Sequence, residues 1–227
     1  MTEARGHRAR LWKRFMEKDG LRGAFVHPYE KLEFLLTFVM PRVDTKPVAK
    51  ALLARFGSLS GVAQADAALL EEVDGVGPKT ARFLTMLHEL GLVFDEEVLA
   101  RRRLLHHPDL LRMYLRKELA HEEAEYLMVI YVDSKQKLIH MERLFRGTID
   151  RVAQYPRELA KEALRRNAAG VILAHNHPSG EPQPSIEDVR KTVELAQALA
   201  LVGVALHDHL VVGAERVVSM HEEGLLG

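Results

Sequence analysis

The 227-residue chain contains no cysteine. Disulfides, thiolate nucleophiles and thiolate-bound zinc are therefore excluded, and any transition metal must rely on nitrogen and oxygen ligands. The absence of disulfides also fits the cytoplasm. No apolar run reaches the length needed to span a bilayer. The basic opening segment lacks the apolar stretch of a secretory signal. The expectation is a soluble, cytoplasmic protein without a membrane partner. Nor is there an excess of one charge: 32 Lys and Arg balance 32 Asp and Glu, so no global field drives the whole chain onto nucleic acid. Internal repeats and low-complexity tracts are missing too. The length suits one large domain or two modest ones.

Local charge is less even. Arg5, Arg8, Arg10, Lys13, Arg14, Lys18 and Arg22 outweigh Glu3, Glu17 and Asp19 near the start, and Arg101, Arg102 and Arg103 form a second basic run. Each reads most simply as a solvated helix face or a charged linker.

The first hundred residues show helical spacing and no strand pattern. Leu32, Leu35, Leu36 and Val39 predict a helix ended by Pro41. Lys46 to Phe56 is a second helix, with Gly57 in its C-cap position. Ala67 to Val73 is a short third, and Pro78 to Leu90 a fourth, stopped by Gly91. Residues 92 to 109 change character, with an acidic pair, the arginine run and His106-His107-Pro108. The expected organisation is a helical domain over 1–100, a linker over 101–108 and a second domain over 109–227.

In the second domain the pattern becomes mixed. Asp109 to Leu119 is helical. Tyr126 to Val132 is an almost unbroken apolar run, as in a strand buried on both faces. Leu138 to Ile149 predicts a second strand, Arg157 to Asn167 a helix, and Val171 to Ala174 a buried strand running straight into His175. Ser185 to Leu201 is a long amphipathic helix, and Val204 to Val212 and Arg216 to Met220 are closing strands. The fold class is α/β (α+β): a mixed sheet flanked by helices, preceded by a small all-α domain.

His175-Asn176-His177-Pro178-Ser179-Gly180, followed by Ser185 and Asp188, is the one dense cluster of metal-ligand types. In an extended segment alternate side chains share a face, so His175 and His177 point together and Asn176 points away. Asp188 falls in the first turn of the next helix. Two imidazoles and one carboxylate suit zinc, one per chain, and leave a fourth position for water, whose pKa zinc lowers to about 7. Ser185 with Asp188 also reads as a helix N-cap and an acidic N3 residue, a relative of the capping box that needs no metal. Capping does not explain the two histidines. Asp208 and His209, on a later strand, fit either an outer role orienting a ligand or a structural one.

The spacing His-x-His, seven residues, Ser, two residues, Asp resembles the JAMM (MPN+) metalloprotease signature at every position. The string His-Asn-His-Pro-Ser-Gly, with Tyr155-Pro156-Arg157-Glu158, Asn167-Ala168-Ala169 and Asp208-His209-Leu210, is similar to the RadC branch of that superfamily. The resemblance covers residues from about 109 to the end and implies a JAB/MPN-like domain. It further implies that His175, His177 and Asp188 bind zinc, that Ser185 helps stabilise an oxyanion, and that an upstream glutamate is the general base. Glu125, just ahead of the apolar strand, is the choice for that base; Glu122, Glu123 and Glu142 are rivals.

In the helical half, Leu70-Glu-Glu-Val-Asp-Gly-Val-Gly-Pro-Lys-Thr-Ala81 looks like a helix-hairpin-helix motif. Gly75 and Gly77 permit a tight turn and Pro78 suits the first helical position. Amides at that helix start, with Lys79 and Thr80, are candidates to hold a DNA phosphate without reading bases. An ordinary helical hairpin that binds nothing has the same glycines, and Glu71, Glu72 and Asp74 oppose a phosphate. The leading reading is a zinc-dependent hydrolase cleaving a peptide or isopeptide bond in a protein or peptide substrate. The alternative is a DNA-binding or repair-associated DNA-processing protein that uses the same metal site on nucleic acid.

Overall fold

Helix caps and turn glycines punctuate the first part of the chain. The computed structural model describes residues 2–18, 20–41, 43–146 and 155–226, with backbone only for residues 2–5, 146 and 155. The chain divides into two units, Met1–Gly91 and Leu92–Gly227.

The first unit holds α1 (Thr2–Glu17), α2 (Gly20–Ala24), α3 (Pro28–Leu36), α4 (Thr45–Phe56), α5 (Leu59–Gln64), α6 (Ala67–Glu71) and the start of α7 (Pro78–Ala100). Side-chain oxygens of Asp44, Ser58 and Asp66 cap α4, α5 and α6 by accepting from Lys46, Gly61 and Ala68 amides. Gly57 ends α4 at φ +79°, as its sequence position predicts. Leu36, Leu52, Leu70, Val76 and Leu84 form one buried cluster. Phe25 and Phe34 anchor another beneath Trp12 and Phe15.

Three boundaries differ from the sequence expectation. Regular helix in α3 ends at Leu36, and turns carry the chain through Val39 and Met40, whose amides both return to the Leu36 carbonyl. Gly91 does not stop α7, which continues to Ala100. A mid-helix glycine costs only about 1 kcal/mol, and burial of Leu99 with Leu92 packed against the same core outweighs that. The 101–108 stretch is not a free linker: Arg103 bridges to Lys137, the Leu104 amide donates to the Gln136 carbonyl, and Leu104 lies buried in a short 3₁₀ turn. The arginines masked that apolar anchor in the sequence.

The second unit contains α8 (Pro108–Leu119), β1 (Tyr126–Val132), β2 (Leu138–Arg146), α9 (Tyr155–Arg165), β3 (Gly170–Asn176), α10 (Ile186–Leu201), β4 (Ala205–Val212) and β5 (Val217–Ser219). The end of the expected second strand, 147–149, lies outside the described residues. The sheet order is β2-β1-β3-β4-β5, with β3 and β4 parallel and the other pairs antiparallel. Alternation sorts β1 and β3 into two faces. Met128, Ile130, Val132, Ile172 and Ala174 pack with α8; Leu127, Val129, Tyr131, Val171 and Leu173 pack with α9 and α10. The result is a helix–sheet–helix sandwich, and His175 continues the row that faces α10. Among the described residues no helix is long and apolar enough to cross a membrane.

Candidate metal centre

His175 lies on the last turn of pleat in β3, a strand buried along its full length. His177 follows two residues on, at the start of the Pro178-Ser179-Gly180 turn. That turn is tied down on both sides. The His177 amide donates to the Val212 carbonyl, the Gly180 amide returns to the His177 carbonyl, and the Ala214 amide donates to the Gly180 carbonyl. Gly180 sits at φ +84°, and a Cβ on Gly213 would meet the Gly180 carbonyl oxygen at 2.4 Å. The loop carrying His177 is thus clamped by the β4–β5 turn.

Asp188 arrives from the other layer as the third residue of α10. Ser185 caps that helix: its hydroxyl accepts from the Asp188 amide at 3.1 Å and donates to Asp188 Oδ2 at 2.6 Å, while Oδ2 also accepts the Ser185 amide at 2.7 Å. The capping box and the convergence of ligands coexist, because the cap aims the carboxylate at the histidines. His175 Nε2 and His177 Nε2 are 3.0 Å apart; Asp188 Oδ1 is 3.6 Å from the first and Oδ2 3.5 Å from the second. A tetrahedral ion with bonds of about 2.0–2.1 Å to nitrogen and oxygen would set its ligand atoms about 3.3 Å apart. The three side chains can therefore hold one metal ion, and they form a ligand group with no cysteine and no distant member.

Charge supports the same arrangement. Burial alone would raise the Asp188 pKa, yet the rings of His175 and His177 and the Ser185 hydroxyl hold it well below the usual carboxylate range. Asp188 pulls the His177 pKa upward against burial, and the Glu181 carbonyl and the Glu125 charge act in the same direction. Burial, reinforced by His175, pushes His209 downward.

Glu125 stands one residue before β1, half-buried. In the β1–β3 register Leu127 faces His175; continued by one pleat, it sets Glu125 opposite His177 on the α10 face. Asn176, turned to the other side, holds that approach in place. Its Oδ1 accepts the Tyr126 amide at 2.8 Å, and its Nδ2 donates to the Ala124 and Glu122 carbonyls at 2.9 and 3.3 Å. Glu122 is ion-paired with Arg143, and Glu142 accepts from Arg166 and from the Tyr131 hydroxyl. Glu123 is exposed.

Asp208 and His209 part company. Asp208 is structural: it accepts from the His209 and His221 amides and from the Ser219 hydroxyl. His209 sits behind His175, its Nε2 2.8 Å from His175 Nδ1, and its Nδ1 meets Thr192 Oγ1 at 2.6 Å. Thr192 went unnoticed in the sequence. Its signal was position: it lies four residues after Asp188, hence on the same helix face. Asn176 was likewise seen only as the residue pointing away.

In the helical unit, Gly75 adopts φ +86° with Val73 and Val76 buried on either side of the turn, and the Thr80 and Ala81 amides close onto the Gly77 carbonyl. Gly75, Gly77 and Lys79 are exposed. Thr80 is buried, so its side chain belongs to the helix packing and not to a surface contact.

A mixed sheet between helices, with two histidines at a strand end and an aspartate from the next helix, is consistent with the metal-dependent hydrolases of the JAB class. A family model described as a RadC-like JAB domain matches residues 105–225. The UPF0758 protein of Fusobacterium nucleatum is 39% identical over 228 residues, 97% of each chain. That of Ruegeria pomeroyi is 41% identical over 222 residues, 98% of each, and one from Rhodobacter capsulatus is 42% identical over 203 residues, 87% of this chain and 92% of the other. The chain belongs to the RadC-like JAB family.

Proposed function

We propose that this protein is a zinc-dependent hydrolase that cleaves a peptide or isopeptide bond. The observation that carries the reading is the convergence of His175 Nε2, His177 Nε2 and the Asp188 carboxylate within 3.0–3.6 Å of one another. Three such protein ligands are the number that catalytic zinc sites use. Bound there, zinc supplies a Lewis acid that polarises a carbonyl and brings the pKa of water to about 7. Glu125, on the His177 side of the site, accepts the proton of the attacking water and returns it to the leaving nitrogen. Ser185 offers a hydroxyl beside the ligands, and on attack it turns from Asp188 Oδ2 toward the developing oxyanion. The place of Glu125 on the His177 side of the register, with its charge acting on the His177 ring, supports it over Glu122 and Glu142 for the base.

The competing reading, in which the site acts on DNA held by the helical unit, draws on the exposed Gly75-Gly77-Lys79 turn. One experiment separates the two. Wild type and Glu125→Gln are profiled against a peptide and isopeptide library and against single-stranded DNA side by side, with zinc content measured for both. The expected result is hydrolysis of amide bonds by wild type, loss of roughly 10²–10⁴-fold in Glu125→Gln, and equal zinc in the two. Cleavage of DNA alone overturns the peptidase reading; undiminished activity in Glu125→Gln overturns the assignment of the base.

A further inference from the structure

The two histidines reach their ligand geometry by different means. A neutral imidazole presents a bare nitrogen to a metal only if its proton sits on the other ring nitrogen. For His177 the constraint is direct: Nδ1 lies 2.7 Å from the Glu181 carbonyl, which can only accept, so Nδ1 carries the proton and Nε2 is bare. His175 is held differently. Its Nδ1 faces another imidazole, His209, and an imidazole can serve as donor or acceptor. The pair by itself leaves the His175 proton undecided.

The decision is made one residue further on. Thr192 Oγ1 is 2.6 Å from the Asp188 carbonyl and 2.6 Å from His209 Nδ1. A carbonyl oxygen cannot donate, so the single hydroxyl proton of Thr192 goes to it, in the i−4 bond that helical threonines often make. The Met220 sulfur, at 3.6 Å, is the weaker competitor. Thr192 Oγ1 then accepts from His209 Nδ1–H. His209 is fully buried and its other neighbour is an imidazole, so it holds one ring proton; its Nε2 is bare and accepts from His175 Nδ1–H. The chain of bonds runs one way, from His175 through His209 and Thr192 to the backbone of Asp188, and it leaves His175 Nε2 free of a proton, so that its 3.0 Å approach to His177 Nε2 is an edge of the ligand set and not a hydrogen bond. The opposite direction would put a proton on His175 Nε2 and block it as a ligand. Thr192 is itself completely buried and part of no recognised motif.

We propose that Thr192 is a positioning residue which, through His209, holds the His175 proton on Nδ1 and so presents Nε2 to the metal. The inference rests on the zinc reading above. It also ties the ligands together, since the relay that orients His175 ends on the backbone of Asp188, the ligand from the other layer.

The test compares wild type, Thr192→Val, which keeps the shape and removes the hydroxyl, and Thr192→Ser, which keeps the hydroxyl. Zinc affinity is read by competition with a chromogenic chelator, and the number of imidazoles around zinc by X-ray absorption. The expected result is a loss of affinity of roughly 10–100-fold in Thr192→Val with fewer than two imidazoles bound. Thr192→Ser should stay within about threefold of wild type. Thr192→Val binding zinc as tightly as wild type through two imidazoles overturns the relay. So does Thr192→Ser failing as badly as Thr192→Val, because that marks a packing role. Wild type binding no zinc overturns the metal reading itself, an outcome separate from either.

Discussion

At the end of β3, special chemistry is made by side chains that meet. His175, His177 and Asp188 come from a strand, a turn and a helix, and His209 and Thr192 back them from a second strand and the same helix. At residues 75–80 of the helical unit, the special feature is the backbone. Gly75 turns at φ +86°, Gly77 receives the first amides of α7, and Lys79 points outward while Thr80 points in. The first arrangement needs a packed core on one side and a clamped loop on the other. The second needs only a turn that glycine alone adopts cheaply. A polar cluster whose members bond one another under burial is costly unless it is complete, whereas an exposed turn carries no such demand. This asymmetry explains why the β3 end narrows to one chemistry and the hairpin turn does not.

The comparison can be broken at either place. The larger effect is expected at Asn176→Ala. Asn176 is buried and joins the end of β3 to the segment 122–126 by three hydrogen bonds. Removing it leaves the Tyr126 amide and two carbonyls without that partner, a cost of about 2–3 kcal/mol. Denaturant unfolding should show that loss, and hydrolysis should fall while zinc binding is kept, because Glu125 loses its anchor and the ligands do not. Unchanged activity would mean that the approach to β1 is held by something else.

A smaller effect is expected at Gly75→Ala, about 1–2 kcal/mol for forcing a side chain into the left-handed region. The new Cβ would also stand 3.2 Å from Val48 Cγ2. Thermal unfolding should register this destabilisation, with zinc affinity the same as in wild type. A coincident loss of zinc would contradict this expectation.

The difference between the regions also governs what the sequence made legible. All three residues of the group that could hold a metal were visible in the spacing His175, His177, Asp188, because a strand end and a helix start are both local features. The buried strands and the sandwich followed from unbroken apolar runs such as Tyr126–Val132, whereas the strand order did not. The contact between His209 and Thr192 was only partly legible: His209 reads as able to orient a ligand and Thr192 lies one helical turn after Asp188, but it is the parallel pairing of β3 with β4 and the packing of α10 that bring the two together. The passage through Gly91 and the burial of Leu104 were hidden for a related reason. Breaker and charge signals are local, and the apolar contacts that override them are not.

The claim at the centre is that the convergence at the end of β3 exists to hold a metal. It is tested most directly by the zinc content of the purified, metal-exposed and desalted protein, measured by plasma emission for wild type and for the His175→Ala/His177→Ala double variant. The account predicts about one zinc per chain in wild type and almost none in the double variant, in keeping with a site built from three protein ligands. Wild type without bound zinc, or a double variant that keeps a full equivalent, would contradict it.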